Sequence, residues 1–171
     1  ASKISAELLS YNYHYHYGIN TAILRFFTVY GPFGRPDMVI FKFIKLILEN
    51  KPITIYGDGK SSRDYTYVTD VSDALIASTK LTGYEIFNVG GGSSTALNNL
   101  VEIIESLLEK KAIIKKIPRD PSDVEHSLAD ITKISKKLNW QPKYNIEQGV
   151  KETGKWFLDN LNFISSINLK D

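Results

Sequence analysis

The 171 residues carry 21 Lys and Arg against 19 Asp and Glu, a net charge of +2, with 43% apolar and 23% charged residues. That composition can bury the core of one domain of ordinary size and excludes a disordered tail. The small charge argues against a nucleic-acid partner, which requires a basic stripe with interleaved aromatics. The nearest basic cluster, Lys110-Lys111 with Lys115-Lys116, flanks a short apolar stretch and reads as a solvated face. The absence of cysteine excludes disulfides and thiolate metal sites. No apolar run approaches a membrane span, and the N-terminus lacks the pattern of a signal peptide, so a cytoplasmic protein is expected.

In chain order, Ser5 to Tyr17 predicts a helix with Ile4, Leu8 and Leu9 on one side, ended by Gly18. Thr21 to Val29 is apolar almost throughout and predicts one strand buried on both faces of a parallel sheet. A Gly/Pro loop, Tyr30 to Asp37, leads to a helix over Met38 to Asn50 with its stripe through Ile40, Phe43, Ile44 and Ile47. Ile53 to Tyr56 and Arg63 to Val68 predict short strands, and Gly57-Asp58-Gly59 between them predicts a hairpin turn. Thr69 or Asp70 is the expected cap of a helix reaching about Lys80. Glu85 to Val89 predicts a buried strand, and three glycines then lead into a helix over Ala96 to Glu109. A strand over Ile113 to Ile117, a helix over Asp130 to Leu138 and a last helix from Ile146 to about Phe163 complete an α/β pattern.

The polar residues suggest chemistry in only a few places. Arg25 stands inside an apolar strand and requires a partner, for which an ion pair within the sheet suffices. Arg35 lies in a tight loop at a strand's carboxyl end, where open α/β sheets bind ligands, and its planar fork suits a carboxylate or phosphate. An exposed loop arginine would look the same. Gly57-x-Gly59 lacks the context of a phosphate cradle. Asp64 and Asp70 read as fold-maintaining residues, and three glycines after Phe87-Asn88-Val89 read as a turn. His14 and His16, two apart on a helix, face different ways and do not form a metal pair.

Leu24-Arg25-Phe26-Phe27-Thr28-Val29-Tyr30-Gly31-Pro32-Phe33-Gly34-Arg35-Pro36-Asp37-Met38 resembles a signature of the extended short-chain dehydrogenases, the NAD-dependent epimerase/dehydratase family, and within it the UDP-glucuronate 4-epimerases. Ala1-Ser2-Lys3 resembles the tail of that family's Tyr-x-x-x-Lys motif, with the tyrosine two residues before Ala1. Arg63-Asp64-Tyr65-Thr66-Tyr67-Val68-x-Asp70, Phe87-Asn88-Val89-Gly90 and Leu138-Asn139-Trp140-x-Pro142 follow in family order.

The resemblance implies the end of a doubly wound Rossmann-type parallel sheet over residues 1–30 and a smaller α/β subdomain over 31–171 that binds a nucleotide sugar. It implies NAD as cofactor, held mainly by a preceding half, with Lys3 activating the tyrosine and binding the ribose. Thr28 and Arg35 would hold the sugar, with its carboxylate, Arg63 the diphosphate, and Asn88 and Asp123 further parts of the substrate. Many relatives handling neutral sugars carry asparagine at the position of Thr28. The loop Asp120-Pro121-Ser122-Asp123-Val124 departs from the family's Gln/Arg-Pro-Gly-Asp-Val, so Asp120 would repel a diphosphate unless Arg119 substitutes. The implied reaction is the interconversion of UDP-glucuronate and UDP-galacturonate through a 4-keto sugar. A decarboxylase, a 4,6-dehydratase and a non-catalytic nucleotide-sugar-binding or dimerising module are the alternatives. The chain alone is expected to be inactive, and a homodimer through the first helix is expected.

Overall fold

In the computed structural model, which describes residues 1–169, helix α1 (Ser2–Tyr17) ends at Gly18, a left-handed residue (φ 67°) whose N–H donates to the His14 carbonyl. Only glycine takes that conformation without a Cβ penalty. Strand β1 (Thr21–Phe26) follows and pairs in parallel with β5 (Tyr84–Val89), Leu24 opposite Phe87 and Arg25 opposite Asn88. The sheet that β1 begins therefore takes its second strand from residues well beyond 30.

The expected single strand over 21–29 is interrupted at Phe27. The Phe27 N–H still donates to the Val89 carbonyl, but β2 (Thr28–Tyr30) pairs in parallel with β4 (Ser62–Tyr67) instead. The chain stays extended while its neighbour changes, so the apolar run continues across the break. Burial on both faces is also not found. β1 is half-buried at its start, and Arg25 and Phe26 are exposed. Arg25 has its partner not within the sheet but on α1, donating through Nε and Nη2 to the two Glu7 carboxylate oxygens at 2.8 and 2.6 Å.

The Gly57-Asp58-Gly59 segment is not a hairpin turn. β3 (Ile53–Tyr56) pairs in parallel with β7 (Ile114–Ile117), whereas β4 pairs with β2 and, antiparallel, with β6 (Ser94–Ala96). The glycine turn passes the chain from one sheet to the next. Asn98 anchors it, donating to the Asp58 carbonyl at 3.1 Å. A Cβ on Gly59, where φ is +77°, would lie 2.0 Å from the Asn98 side chain. Strand β6, absent from the sequence expectation, is three residues without a period and is formed by its register with Ser62 to Asp64.

Helices α2 (Val39–Leu48), α4 (Leu97–Leu108) and α6 (Ile146–Asp159) pack on these sheets around Ile40, Ile44, Leu100, Ile104, Val150 and Phe157, all at 2% exposure or less. Burying each such side chain contributes roughly 1.5–3 kcal/mol. A second cluster joins Phe87 and Val89 of β5 to Val71 and Ala74 of α3 (Val68–Ser78), Ile134 of α5 (Thr132–Leu138) and Trp140. Asp70 does not cap α3, whose N-cap is Tyr67. Its buried carboxylate accepts from the Lys143 and Tyr144 backbone N–H groups at 3.1 and 3.2 Å, and its carbonyl accepts from Trp140 Nε1 at 3.0 Å. The last helix divides at Asn160 into α6 and α7 (Leu161–Ser166), and the buried Lys45 donates to the Ile164 carbonyl of α7 at 2.7 Å. No residue of α1 is buried, and Tyr11, Tyr13, Tyr15 and Tyr17 are 50–72% exposed.

Candidate functional site

The switch of partner at Phe27 sets the carboxyl end of β1 against the start of β2, between two sheets, the kind of place where an open α/β fold binds ligands. Thr28 and Arg35 line one small crevice there, of about 20 Å³, floored by Tyr30 and Met38. Arg35 is brought to it by the turn Gly31 to Met38, closed by Gly34 N–H to Gly31 carbonyl and Met38 N–H to Arg35 carbonyl, both 3.1 Å. Phe33, left-handed at φ 58°, packs against Trp156 of α6 in a tilted arrangement with ring centres 4.9 Å apart, tying the loop to the helix. Arg35 donates through Nε to Asp37 Oδ1 at 3.1 Å and through Nη2 to Oδ2. The guanidinium holds the Asp37 carboxyl below its ordinary range, and the hydrogen-bonded carboxylate raises Arg35 in turn.

A larger cleft of 460 Å³ adjoins the crevice, and Val39 lines both. Lys42 of α2, Tyr56 of β3 and Lys115 of β7 line it with Asp37, Phe43 and Leu97. Two cations, an aromatic face and apolar walls suit a flat heteroaromatic ring with an anionic substituent. Sequence reasoning missed these three residues. Lys115 belongs to the cluster expected to be a solvated face; it is exposed, as expected, and also lines the cleft. The one signal was Tyr56, an aromatic at a strand's carboxyl end.

Beyond the end of β7 lies a pair of arginines. Arg63 of β4 donates to Asp123 Oδ1 at 2.8 Å, to the Ser62 carbonyl at 3.0 Å and to the Glu125 carbonyl at 3.3 Å. Arg119 donates to the Asp123 carbonyl at 2.6 Å and pairs with the Glu125 carboxylate at 3.4 Å. Each guanidinium thus holds the side chain of one acidic residue and the carbonyl of the other. Arg119 Nε is buried with no protein partner. Asp120, expected to repel an anion, is turned into its own loop, where Oδ1 accepts from the Ser122 N–H at 2.8 Å and hydroxyl at 2.7 Å, holding its carboxyl below the ordinary range.

The structure therefore brings Thr28 to Arg35 and Arg63 to Asp123. Asn88 joins neither group and its amide donates to the Asp130 carbonyl at 3.4 Å. Lys3 has no ion-pair partner among the described residues. α1 runs antiparallel to β1, with His14 bonded near the strand's start and Glu7 bonded to Arg25. One more turn carries Lys3 about 6 Å further, past the carboxyl end of β1. A groove of 780 Å³ between α4 and α6 is lined by none of the residues expected to bind substrate. Asp64, as expected, maintains the fold. It is fully buried and accepts from the Gly91 and Ala129 N–H groups at 2.5 and 3.1 Å. Among the described residues, no helix is long and apolar enough to cross a membrane, and no group of three or more His, Cys, Asp or Glu could hold a metal ion.

Mainly parallel sheets flanked by helices define a Rossmann-type α/β fold. The GDP-mannose 4,6 dehydratase family matches residues 1–153, and the chain belongs to this NAD-dependent epimerase/dehydratase family. A UDP-glucuronate 4-epimerase of Thermodesulfobacterium geofontis is 49% identical over 170 residues, which is 99% of this chain and 53% of that protein. UDP-glucose 4-epimerase of Thermotoga maritima, solved with UDP-glucose, superposes with a TM-score of 0.86 at 34% identity, covering 93% of this chain and 52% of its own. UDP-glucuronic acid 4-epimerase of Bacillus cereus, solved with UDP-glucuronic acid and NAD, gives 0.85 at 33% identity, covering 92% and 51%. The chain thus spans about half the length of the relatives it matches.

Proposed function

We propose that this chain is the substrate-binding part of an NAD-dependent UDP-sugar 4-epimerase, with UDP-glucuronate and UDP-galacturonate as its pair of substrates. Residues 1–30, joined in space by Tyr84–Val89, form the close of the cofactor-binding sheet, and most of the remainder holds the nucleotide sugar. The observation that carries the substrate is the shared crevice of Thr28 and Arg35, a hydroxyl at the start of β2 and a guanidinium fork from the loop that follows the strand. The neighbouring cleft suits the uracil and ribose, and Arg63 with Arg119 supplies charge for the diphosphate.

NAD, when bound, would supply hydride-transfer chemistry at C4 of the sugar. The residue here that suits such a reaction is Lys3, a cation without an ion partner among the described residues, placed past the end of β1 where it favours a nearby phenolate and reaches ribose hydroxyls. The exposed tyrosines of α1 suit a homodimer contact. The full-length protein is expected to sediment as a dimer at micromolar concentration. A monomer there would overturn the dimer alone.

Calorimetric titration of the full-length protein with UDP-glucuronate, UDP-glucose and UDP tests the reading. The glucuronate is expected to bind most tightly, and Arg35→Ala is expected to remove about tenfold of that affinity while leaving UDP-glucose unchanged. Equal affinities for the two sugars would sink the uronate assignment. A product epimerised at C4, with neither carbon dioxide nor water lost, separates the epimerase from the decarboxylase and the dehydratase.

A further inference from the structure

We infer that Asp37 is a built-in competitor for the substrate's carboxylate, occupying the Arg35 fork in the free protein and so setting how strongly an acidic sugar is preferred to a neutral one. The inference rests on the assignment of Arg35 to a uronate. Both nitrogens of the fork, Nε and Nη2, face the two oxygens of Asp37, the arrangement a sugar carboxylate would itself adopt.

Arg35 differs in this from the other arginines of the site. Arg63 and Arg119 each bond a backbone carbonyl as well as acidic side chains, so their positions are fixed from several directions. Among the described residues Arg35 has a single side-chain partner, and that partner is only two residues away. Pro36 fixes φ between them, and the Met38 N–H closes the turn on the Arg35 carbonyl. The carboxylate is thus held over the fork by the backbone itself. The contact is also open to water, with side-chain exposures of 74% for Arg35 and 60% for Asp37. Ion pairs so exposed are weak and exchange readily.

Asp37 has somewhere to go. Arg35 lines the crevice with Thr28, while Asp37 lines the adjoining cleft with Lys42 and Lys115. A uronate arriving at Arg35 exchanges one carboxylate for another and leaves Asp37 facing the cleft, with a second negative charge nearby. A neutral sugar makes no such exchange. Asp37 therefore weakens the binding of acidic sugars relative to that of neutral ones.

The experiment is titration of the full-length protein and its Asp37→Asn variant with UDP-glucuronate and with UDP-glucose. Asparagine keeps the size of the side chain and removes the charge at an exposed position. The variant is expected to raise the affinity for UDP-glucuronate relative to that for UDP-glucose about two- to fivefold, the scale of a lost exposed ion pair. A lower relative affinity would make Asp37 a support for Arg35 and overturn the inference, as would an equal change for both sugars. If the unaltered protein fails to distinguish the two sugars, the uronate assignment itself fails and the inference with it. Discrimination retained by the unaltered protein, without a gain in the variant, removes the inference alone.

Discussion

Asp64→Ala is expected to lower stability by about 3–5 kcal/mol, measured by urea unfolding followed by circular dichroism. The carboxylate is fully buried on β4 and is the acceptor for two backbone N–H groups, Gly91 after β5 and Ala129 before α5. Removing it leaves a buried donor at Ala129 and a part-buried one at Gly91 in a confined place. A Cβ on Gly90 would meet Ala129 Cβ at 2.3 Å and Asp64 Oδ2 at 2.6 Å, and one on Gly91 would meet the Tyr65 carbonyl at 2.4 Å. Glycine is required there because backbone and carboxylate approach too closely for any side chain. Each stranded donor costs about 1–3 kcal/mol, and bonds to a charged acceptor are stronger than average. For a chain of this size the loss corresponds to a fall in Tm of roughly 6–20 °C. Asp64→Asn keeps one acceptor and is expected to lose less. An Asp64→Ala midpoint within 0.5 M urea of the unaltered protein's would remove Asp64 from its structural role.

Arg63→Ala is expected to weaken the binding of UDP and of every UDP-sugar by roughly tenfold to a hundredfold, since hydrogen bonds to charged groups contribute about 1.5–3 kcal/mol. Two effects add. The variant removes a cation from the place proposed for the diphosphate, and it releases the loop whose Asp123 carboxylate and Glu125 carbonyl Arg63 holds. The equal loss for UDP and UDP-sugar distinguishes this arginine from Arg35, whose removal affects the acidic sugar alone. Arg63→Lys is expected to recover only part of the affinity, because a lysine cannot hold several oxygens in a planar fork. Unchanged UDP affinity in Arg63→Ala would contradict the diphosphate assignment.

The parts of the fold that were legible in sequence are those where burial follows a local period. The stripe Ile40, Phe43, Ile44 and Ile47 is buried on α2 as its spacing requires, and Glu85 to Val89 lies within β5. What escaped was pairing at long range. Phe27 looks like its neighbours because both halves of the run are extended and apolar, and only the partner strand changes. Gly57-Asp58-Gly59 announces a turn without announcing which strands it joins. Asp70 looks like a cap beside α3, but its partners lie more than 70 residues away. The site divides in the same way. Thr28 with Arg35, and Arg63 with Asp123, stand in recognisable motifs. Lys42, Tyr56 and Lys115 converge from three separate elements, and nothing local marks either lysine.

The break at Phe27 bears on how the site can respond to motion. Thr28 is the first residue of one sheet and stands one peptide unit beyond the last pairing of the other. No loop lies between them to absorb displacement. A shear of one sheet against the other is therefore delivered undamped to Thr28, and the floor of the crevice it shares with Arg35 works as a mechanical coupling between the two layers.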